Sequence, residues 1–553
     1  MVDLEHPDAV QYIAREQQYL AEQTEPWRSN LKEMMSELNA QLSIERKTTP
    51  IVTGDFEYYS EIRKGHQYPV YYRRPKTLPG DQQVVIDLNE LSNGTDFYAL
   101  GGFSISPDEQ TVAFTEDRTG DGNHTLRLRN LDTGVVTTIA DRLEPKLAWH
   151  GDAILAIEKE TNSVVEHLPD GQKTTLYREA DPAFSLSVRT ARDRKTVIIT
   201  SESHRATEIR TLSPGGELQL IAPRQEGHRY RLMIGVDHMT VLSNYKRPDY
   251  ALAFLQKGEV DPSDWQFYEL RLPGSVVDFE RYEKFLLVQV RNRLRDQLVL
   301  IDPLAGYQRS ILVTGAGESF RLMQPDDGAE PGFQFRIRSL IQPERRYKIV
   351  VSEQVAHEID SDSAPGNYLR DQYRVEEHWL SARDGVEVPV TLIYKKGADL
   401  ASRPLYLTAY GAYGISLPIA FDPTRLPLLN RGVVLGIVHV RGGGDLGDAW
   451  HFSGRHLNKE NSFNDFVDVA NRLVESGIGH PGMLAARGAS AGGTVIGVVA
   501  NEAPALFKVL VADVPFVDVL TTLLDPTLPL TESDILEWGN PDVPADARYL
   551  FEY

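Results

Sequence analysis

The chain has 553 residues, 41% hydrophobic and 25% charged, with 58 basic side chains against 79 acidic ones and a formal charge of −21. That excess repels phosphate backbones and anionic lipid surfaces, so neither nucleic acid nor a membrane is an expected partner. The chain has no cysteine, which excludes disulfides, thiolate nucleophiles and cysteine zinc sites, and no metal motif built from His and carboxylates replaces them.

Two domains are expected from the length alone. No basic stretch followed by an apolar run opens the chain, and no run of about 18 apolar residues occurs in it, so the cytoplasm is the simplest setting. From Pro7 to about Leu42, the residues Val10, Ile13, Leu20, Leu31, Met34, Met35 and Leu38 fall mostly at helical spacing, interrupted near Pro26. Residues 1–49 are predicted as an amphipathic helical lead-in that packs on the C-terminal domain.

After Pro50 the texture becomes alternating and rich in Val, Ile, Tyr and Phe, with turns such as "PDEQ", "DTGV", "PDGQ" and "SPGGE". Strand-like openings near Phe56, Phe103, Leu147, Leu186, Leu232, Val277 and Leu322 recur every 39 to 47 residues or so, the range of four-stranded propeller blades. A seven-bladed β-propeller is predicted over 50–370, with a pair of irregular β-sandwiches as the alternative. The polar segment Ala356 to Gln372, punctuated by Pro365 and Gly366, marks the boundary. Beyond it, "PLYLTAYG", "GVVLGIVHV", "MLAARGAS" and "FKVLVADVP" are near-continuous apolar runs that alternate with helical patterns. Residues 371–553 therefore form an α/β domain with a mostly parallel sheet.

Within that domain "GASAG", Gly488 to Gly492, matches the G-x-S-x-G nucleophile elbow, with a strand before it and a helix after it. Small flanking residues let the chain bend sharply enough to expose the Ser490 hydroxyl, and the helix that follows turns its amides toward developing negative charge. A glycine-rich strand-to-helix turn that binds phosphate is the competing reading. A serine nucleophile needs a histidine base oriented by a carboxylate, and in the elbow fold both follow the serine. Yet all fourteen histidines, from His6 to His480, precede Ser490. Asp513 ends a strand and reads as a turn or cap residue. The last residues, "DARYLFEY", read as a helix cut midway, so a hydrolase domain truncated at its C-terminus is expected, with a pseudoenzyme as the alternative. "RGGGDLG" lacks the lysine and Ser/Thr of a phosphate loop; Arg441 and Asp445 are read as structural, and His439 as a satisfied core histidine.

"YGAYG" (Tyr410 to Gly414), "GIVHVRGGGDLGDAWH" (Gly436 to His451), "NSFNDF", "GASAGG" and "VPFVDVLTTLLDPTLPLTESDILEWGNP" (Val514 to Pro541) together closely resemble the oligopeptidase B branch of the prolyl oligopeptidase family. The resemblance is dense from about Leu405 to the C-terminus and looser upstream. It implies a seven-bladed propeller covering an α/β-hydrolase domain, and a serine endopeptidase that takes short peptides through an acyl-enzyme on Ser490, without a cofactor. It also implies an extended segment ahead of this chain's start, so both ends are expected to be clipped. By the same similarity the oxyanion donors are the Tyr410 hydroxyl and the Ala491 N–H, and Tyr413 lines the pocket for the residue before the scissile bond. Members of this branch hold basic side chains with carboxylates. Of four such acidic positions this chain keeps Asp534, while Leu536, Pro418 and Ala420 stand at the others and Glu532 and Glu537 lie close by. Cleavage after Arg or Lys is thus expected, and a preference for paired basic residues is not. Cleavage after proline and a non-catalytic peptide-binding propeller remain the alternatives, and the 553-residue chain itself is expected to be inactive for want of a base.

Overall fold

The computed structural model describes residues 6–41, 46–77, 80–235, 238–247, 249–256, 258–326, 332–366, 368–528 and 530–553. Helix α1 (Pro7–Thr24) begins with proline in its first turn, where no N–H is needed, and the His6 ring accepts from the Asp8 N–H at 3.3 Å. A 3₁₀ turn that carries Pro26 breaks the helix before α2 (Arg28–Gln41). Val10, Ile13, Leu20, Leu31 and Met35 remain exposed, while Met34 and Leu38 are half-buried. On the C-terminal domain α2 makes an ion-pair contact: the Glu37 carboxylate takes both Arg431 Nη atoms at 2.6 and 2.9 Å, with Glu33 at 3.8 Å.

Among the described residues, six antiparallel sheets follow between Arg46 and Ser361. Their middle strands, such as Ala153–Glu158 and Val197–Glu202, are buried on both faces, because each sheet is stacked between its neighbours and not laid against solvent. Apolar clusters join successive sheets, for example Leu186, Val188 and Leu212 with Leu155 and Val164, and Leu298 and Leu300 with Phe333 and Phe335. The first and last sheets meet through polar groups: Thr49 Oγ1 donates to Asp360 Oδ2 at 2.8 Å, and Arg46 lies 3.9 Å from Asp362. The sheets therefore close a ring.

Where the sequence predicts seven four-stranded units over 50–370, one of the six sheets has seven strands. The reason is a single 15-residue strand, β1 (Val136–His150). Its first half pairs with His124–Asn130 and its second half with Ala153–Glu158, Leu143 taking part in both ladders. The chain kinks at Arg142, φ 61°, and passes from one ladder to the next without a loop.

The C-terminal half is built on β2 (Tyr373–Ser381), β3 (Glu387–Lys395), β4 (Leu405–Thr408), β5 (Val434–Val438), β6 (Leu484–Ala489) and β7 (Val509–Asp513), in spatial order β2-β3-β5-β4-β6-β7. The β5-β4, β4-β6 and β6-β7 pairs are parallel. Every residue of β5 is buried, as an apolar run covered on both faces requires. Helix α3 (Glu460–Glu475) packs Phe463, Phe466, Val467, Ala470 and Leu473 onto the sheet at helical spacing, and α4 (Ala491–Glu502) covers it with Val495, Ile496 and Val499. Because Thr408 pairs with Arg487 in register, the loops after β4 and β6 leave the same edge of the sheet side by side, where sites form in parallel α/β sheets.

Candidate active site

Ser490 stands between β6 and α4 with φ 53° and ψ −122°, a conformation that non-glycine residues adopt only when the surroundings enforce it. The enforcement is visible in its backbone bonds. The Ser490 N–H donates to the Asp513 carbonyl at 3.0 Å, and its own carbonyl accepts from Gly493 at 2.8 Å and Phe516 at 3.0 Å. Two glycines supply the space. A Cβ on Gly488 would lie 2.0 Å from the Gly492 oxygen, and a Cβ on Gly492 would lie 2.6 Å from the Ala409 oxygen and 3.2 Å from Tyr410 Cα. The absent side chain on Gly492 thus lets the start of the loop after β4 lie directly on the elbow.

That contact brings Tyr410 to the serine. Burial raises the phenol's pKa and a hydrogen bond with the Ser490 side chain opposes it, the net shift being upward; at neutral pH the phenol keeps its proton and is an O–H donor. Ala491, 1% exposed, opens α4, so its N–H belongs to the first turn, where no intrahelical acceptor exists and the helix dipole is positive.

Tyr413, also in the β4 loop and at φ 57°, donates its hydroxyl to Asp534 Oδ1 at 2.9 Å and accepts from Trp538 Nε1 at 2.9 Å. Asp534 and Trp538 both belong to α5 (Thr531–Trp538). Burial raises the Asp534 pKa, with the Tyr413 hydrogen bond opposing. Behind this pair lies a buried charged cluster. Glu537 accepts from His451 Nε2 at 2.7 Å and Lys459 Nζ at 3.2 Å, and Lys459 also donates to the Gly411 carbonyl at 2.7 Å and sits over the Trp538 ring. Burial would raise the Glu537 pKa, but the His451 bond, the Lys459 charge and the Tyr413 N–H outweigh it and hold the carboxyl below its ordinary range. Burial pulls the Lys459 ammonium down while Glu537 opposes. The pair pins the loop at Gly411 and Tyr413, next to Tyr410 in the chain.

Residues 1–357 match the family described as "Prolyl oligopeptidase, N-terminal beta-propeller domain", and residues 419–553 match "Prolyl oligopeptidase family". The chain belongs to the prolyl oligopeptidase family. Dipeptidyl aminopeptidase BI of Pseudoxanthomonas mexicana is 30% identical over 99% of this chain and 80% of its own length, and Protease 2 of Moraxella lacunata is 30% identical over 100% and 82%. Oligopeptidase B from Leishmania major has a TM-score of 0.90 at 27% identity, covering 100% of this chain and 81% of that one. Oligopeptidase B from Trypanosoma brucei, with covalently bound antipain, has a TM-score of 0.90 at 26% identity, covering 100% and 82%. Within the prolyl oligopeptidase family the chain is oligopeptidase-B-like, with a propeller in its first half and the family's peptidase domain in its second.

Other residues singled out in the sequence of this family member have structural partners. His439, 3% exposed, bonds Asp445 through Nδ1 at 2.9 Å and Thr391 through Nε2 at 2.8 Å. Arg441 is held by Asp465 at 2.6 Å and by Asp384 at 2.6 Å. The Asp513 carboxylate pairs with Arg487. Leu536 is half-buried on α5, Pro418 lines a cavity of about 410 Å³ between the two halves, and the Glu532 side chain lies outside the described residues. Among the described residues, no histidine hydrogen-bonds to Ser490, no cluster of three metal-ligating side chains occurs, and no helix is long and apolar enough to cross a membrane. Sequence reasoning missed Lys459 and His451 and left Glu537 as a neighbouring acid. The available signal was a lysine one residue ahead of the amphipathic pattern of α3, whose buried face it joins.

Proposed function

We propose that the chain is a serine oligopeptidase that forms an acyl-enzyme on Ser490 and cleaves short peptides after Arg or Lys. The observation that carries this reading is the strained Ser490 backbone with the Tyr410 phenol at its hydroxyl. In the proposed reaction the Ser490 oxygen adds to the scissile carbonyl. The oxyanion is held by the Tyr410 O–H and the Ala491 N–H. The serine proton passes by way of a base to the leaving nitrogen as collapse of the adduct breaks the C–N bond and releases the amine, and water then hydrolyses the ester to release the acid and restore the Ser490 hydroxyl. Asp534, half of whose carboxylate is engaged by Tyr413, receives the substrate's cation. The covalent antipain adduct of the Trypanosoma brucei relative supports covalent chemistry. Splitting the seven-stranded sheet at Leu143 gives the propeller seven blades over about 50–370, with a helical lead-in at 1–49 and the hydrolase domain at 371–553. A cytoplasmic setting belongs to the same proposal, and cell fractionation tests it.

The Ser490 proton must pass to a base, so the purified 553-residue chain is expected to turn peptides over negligibly. Turnover above that of its Ser490→Ala variant would contradict this. In any form of the protein that turns peptides over, Ser490→Ala is expected to lower kcat by about 10⁶ and Tyr410→Phe by about 10² to 10³. Retained activity after Ser490→Ala would sink the assignment. The half-buried Leu536, where the resemblance calls for an acid, favours cleavage after proline as the second reading. Comparing Arg- with Pro-containing peptides decides between the two.

A further inference from the structure

The surroundings of Tyr413 include a residue from the other half of the chain. His204 stands at the tip of the hairpin that joins Val197–Glu202 to Thr207–Leu212 in the propeller. Ser203 fixes that tip: its N–H donates to the Ala206 carbonyl at 2.9 Å, and its Oγ accepts from the Arg205 and Ala206 N–H groups at 3.2 Å each. From there the imidazole reaches across to Tyr413, 6.1 Å between ring centroids and tilted by 33°, and Tyr413 in turn holds Asp534. His204 keeps exposed surface, yet crowding by protein is the first cause lowering its pKa. The ring is exposed at its hairpin tip and lies beside Tyr413, at the seam between the two halves. The charged and titratable groups that face it are Asp534 and Glu537 on α5, His451 and Tyr413 of the peptidase domain, and Arg229 of the propeller.

Resting on the reading that Asp534 receives a basic side chain, we propose that His204 is a specificity-determining residue that forms the propeller-side wall of that pocket. As a neutral ring it packs on the stem and cation of a bound Arg or Lys; as imidazolium it competes with that cation for Asp534. The pocket is then complete only when both halves of the chain are in place, and its affinity for basic side chains falls on acidification for two separable reasons, protonation of His204 and protonation of Asp534.

The test is binding of a fluorescent short arginine peptide, and of its norleucine counterpart, to the 553-residue chain at pH 7.5 and pH 5.0. His204→Ala is expected to weaken the arginine peptide about threefold to tenfold at pH 7.5. His204→Phe keeps a ring that cannot be charged, so it retains affinity at pH 7.5 and loses less than wild type at pH 5.0. Unchanged affinity in His204→Ala, or wild-type pH dependence in His204→Phe, overturns the proposal even where Asp534→Asn abolishes the preference for arginine over norleucine. If wild type shows no such preference, or Asp534→Asn leaves it intact, the Asp534 reading itself fails and the His204 proposal falls with it.

Discussion

Glycine does opposite work in three hairpin turns of the propeller and at the candidate site. In the propeller, Gly134, Gly171 and Gly216 turn the chain at positive φ with nothing within 4 Å of an added Cβ. In the peptidase domain, a Cβ on Gly442, Gly488 or Gly492 would come within 2.2, 2.0 or 2.6 Å of the carbonyl oxygens of Gly411, Gly492 or Ala409. The propeller is assembled from side-chain burial between stacked sheets, and these three turns stand in open space. The candidate site is assembled from backbone lying on backbone, so small changes there meet atoms that cannot move aside.

The sharpest break in this comparison is Lys459→Met. It leaves Glu537 buried with one partner fewer and the Gly411 carbonyl without its ammonium. Removing one member of a buried pair costs about 3–5 kcal/mol, read as a fall in Tm, with the β4 loop freed to move. Next comes a matched pair of glycine substitutions. Gly488→Ala, blocked by the Gly492 carbonyl, should cost about 3 kcal/mol. Gly171→Ala, penalised only by its φ of 89°, should cost about 1 kcal/mol. Equal losses in denaturant melts would show that the elbow is not packed as tightly as described.

Much of this contrast could be read from the chain. Turn chemistry and blade spacing announced the β-repeats, and G-x-S-x-G between a strand and a helix announced the elbow, because both depend on local sequence. The through-running strand β1 was not legible, since nothing in "TIADRLEPKLAW" signals the absence of a loop; which residue serves two ladders is decided by tertiary pairing at Leu143. Lys459 and Glu537 were illegible as a pair for the same reason. They are 78 residues apart, and only folding brings a charged residue ahead of one helix under the aromatic end of another. His204 is the extreme case, an exposed hairpin-tip residue whose meaning comes wholly from the domain opposite.

The smallest expected effect concerns charge. Glu280, on the strand Ser275–Tyr282 of the propeller, has its carboxyl pushed up to about 7, first by burial and then by Asp278, against Arg231, Arg192 and Arg189. Its unfolded value is near 4.5, so the stability it contributes is complete below that pH and is lost as pH rises through about 7. Glu537 runs the other way: held below its ordinary range, it contributes above pH 4.5 and is lost on the acid side. Glu280→Gln should therefore raise Tm at pH 8 and leave it unchanged at pH 4, whereas Glu537→Gln should lower Tm at pH 8 and do so less at pH 4. If the two substitutions moved Tm in the same direction at pH 8, the buried carboxylates of propeller and peptidase domain would not differ as their surroundings require, because a buried carboxylate gains from being ionised where hydrogen-bond donors and an ammonium stand beside it, as they do at Glu537.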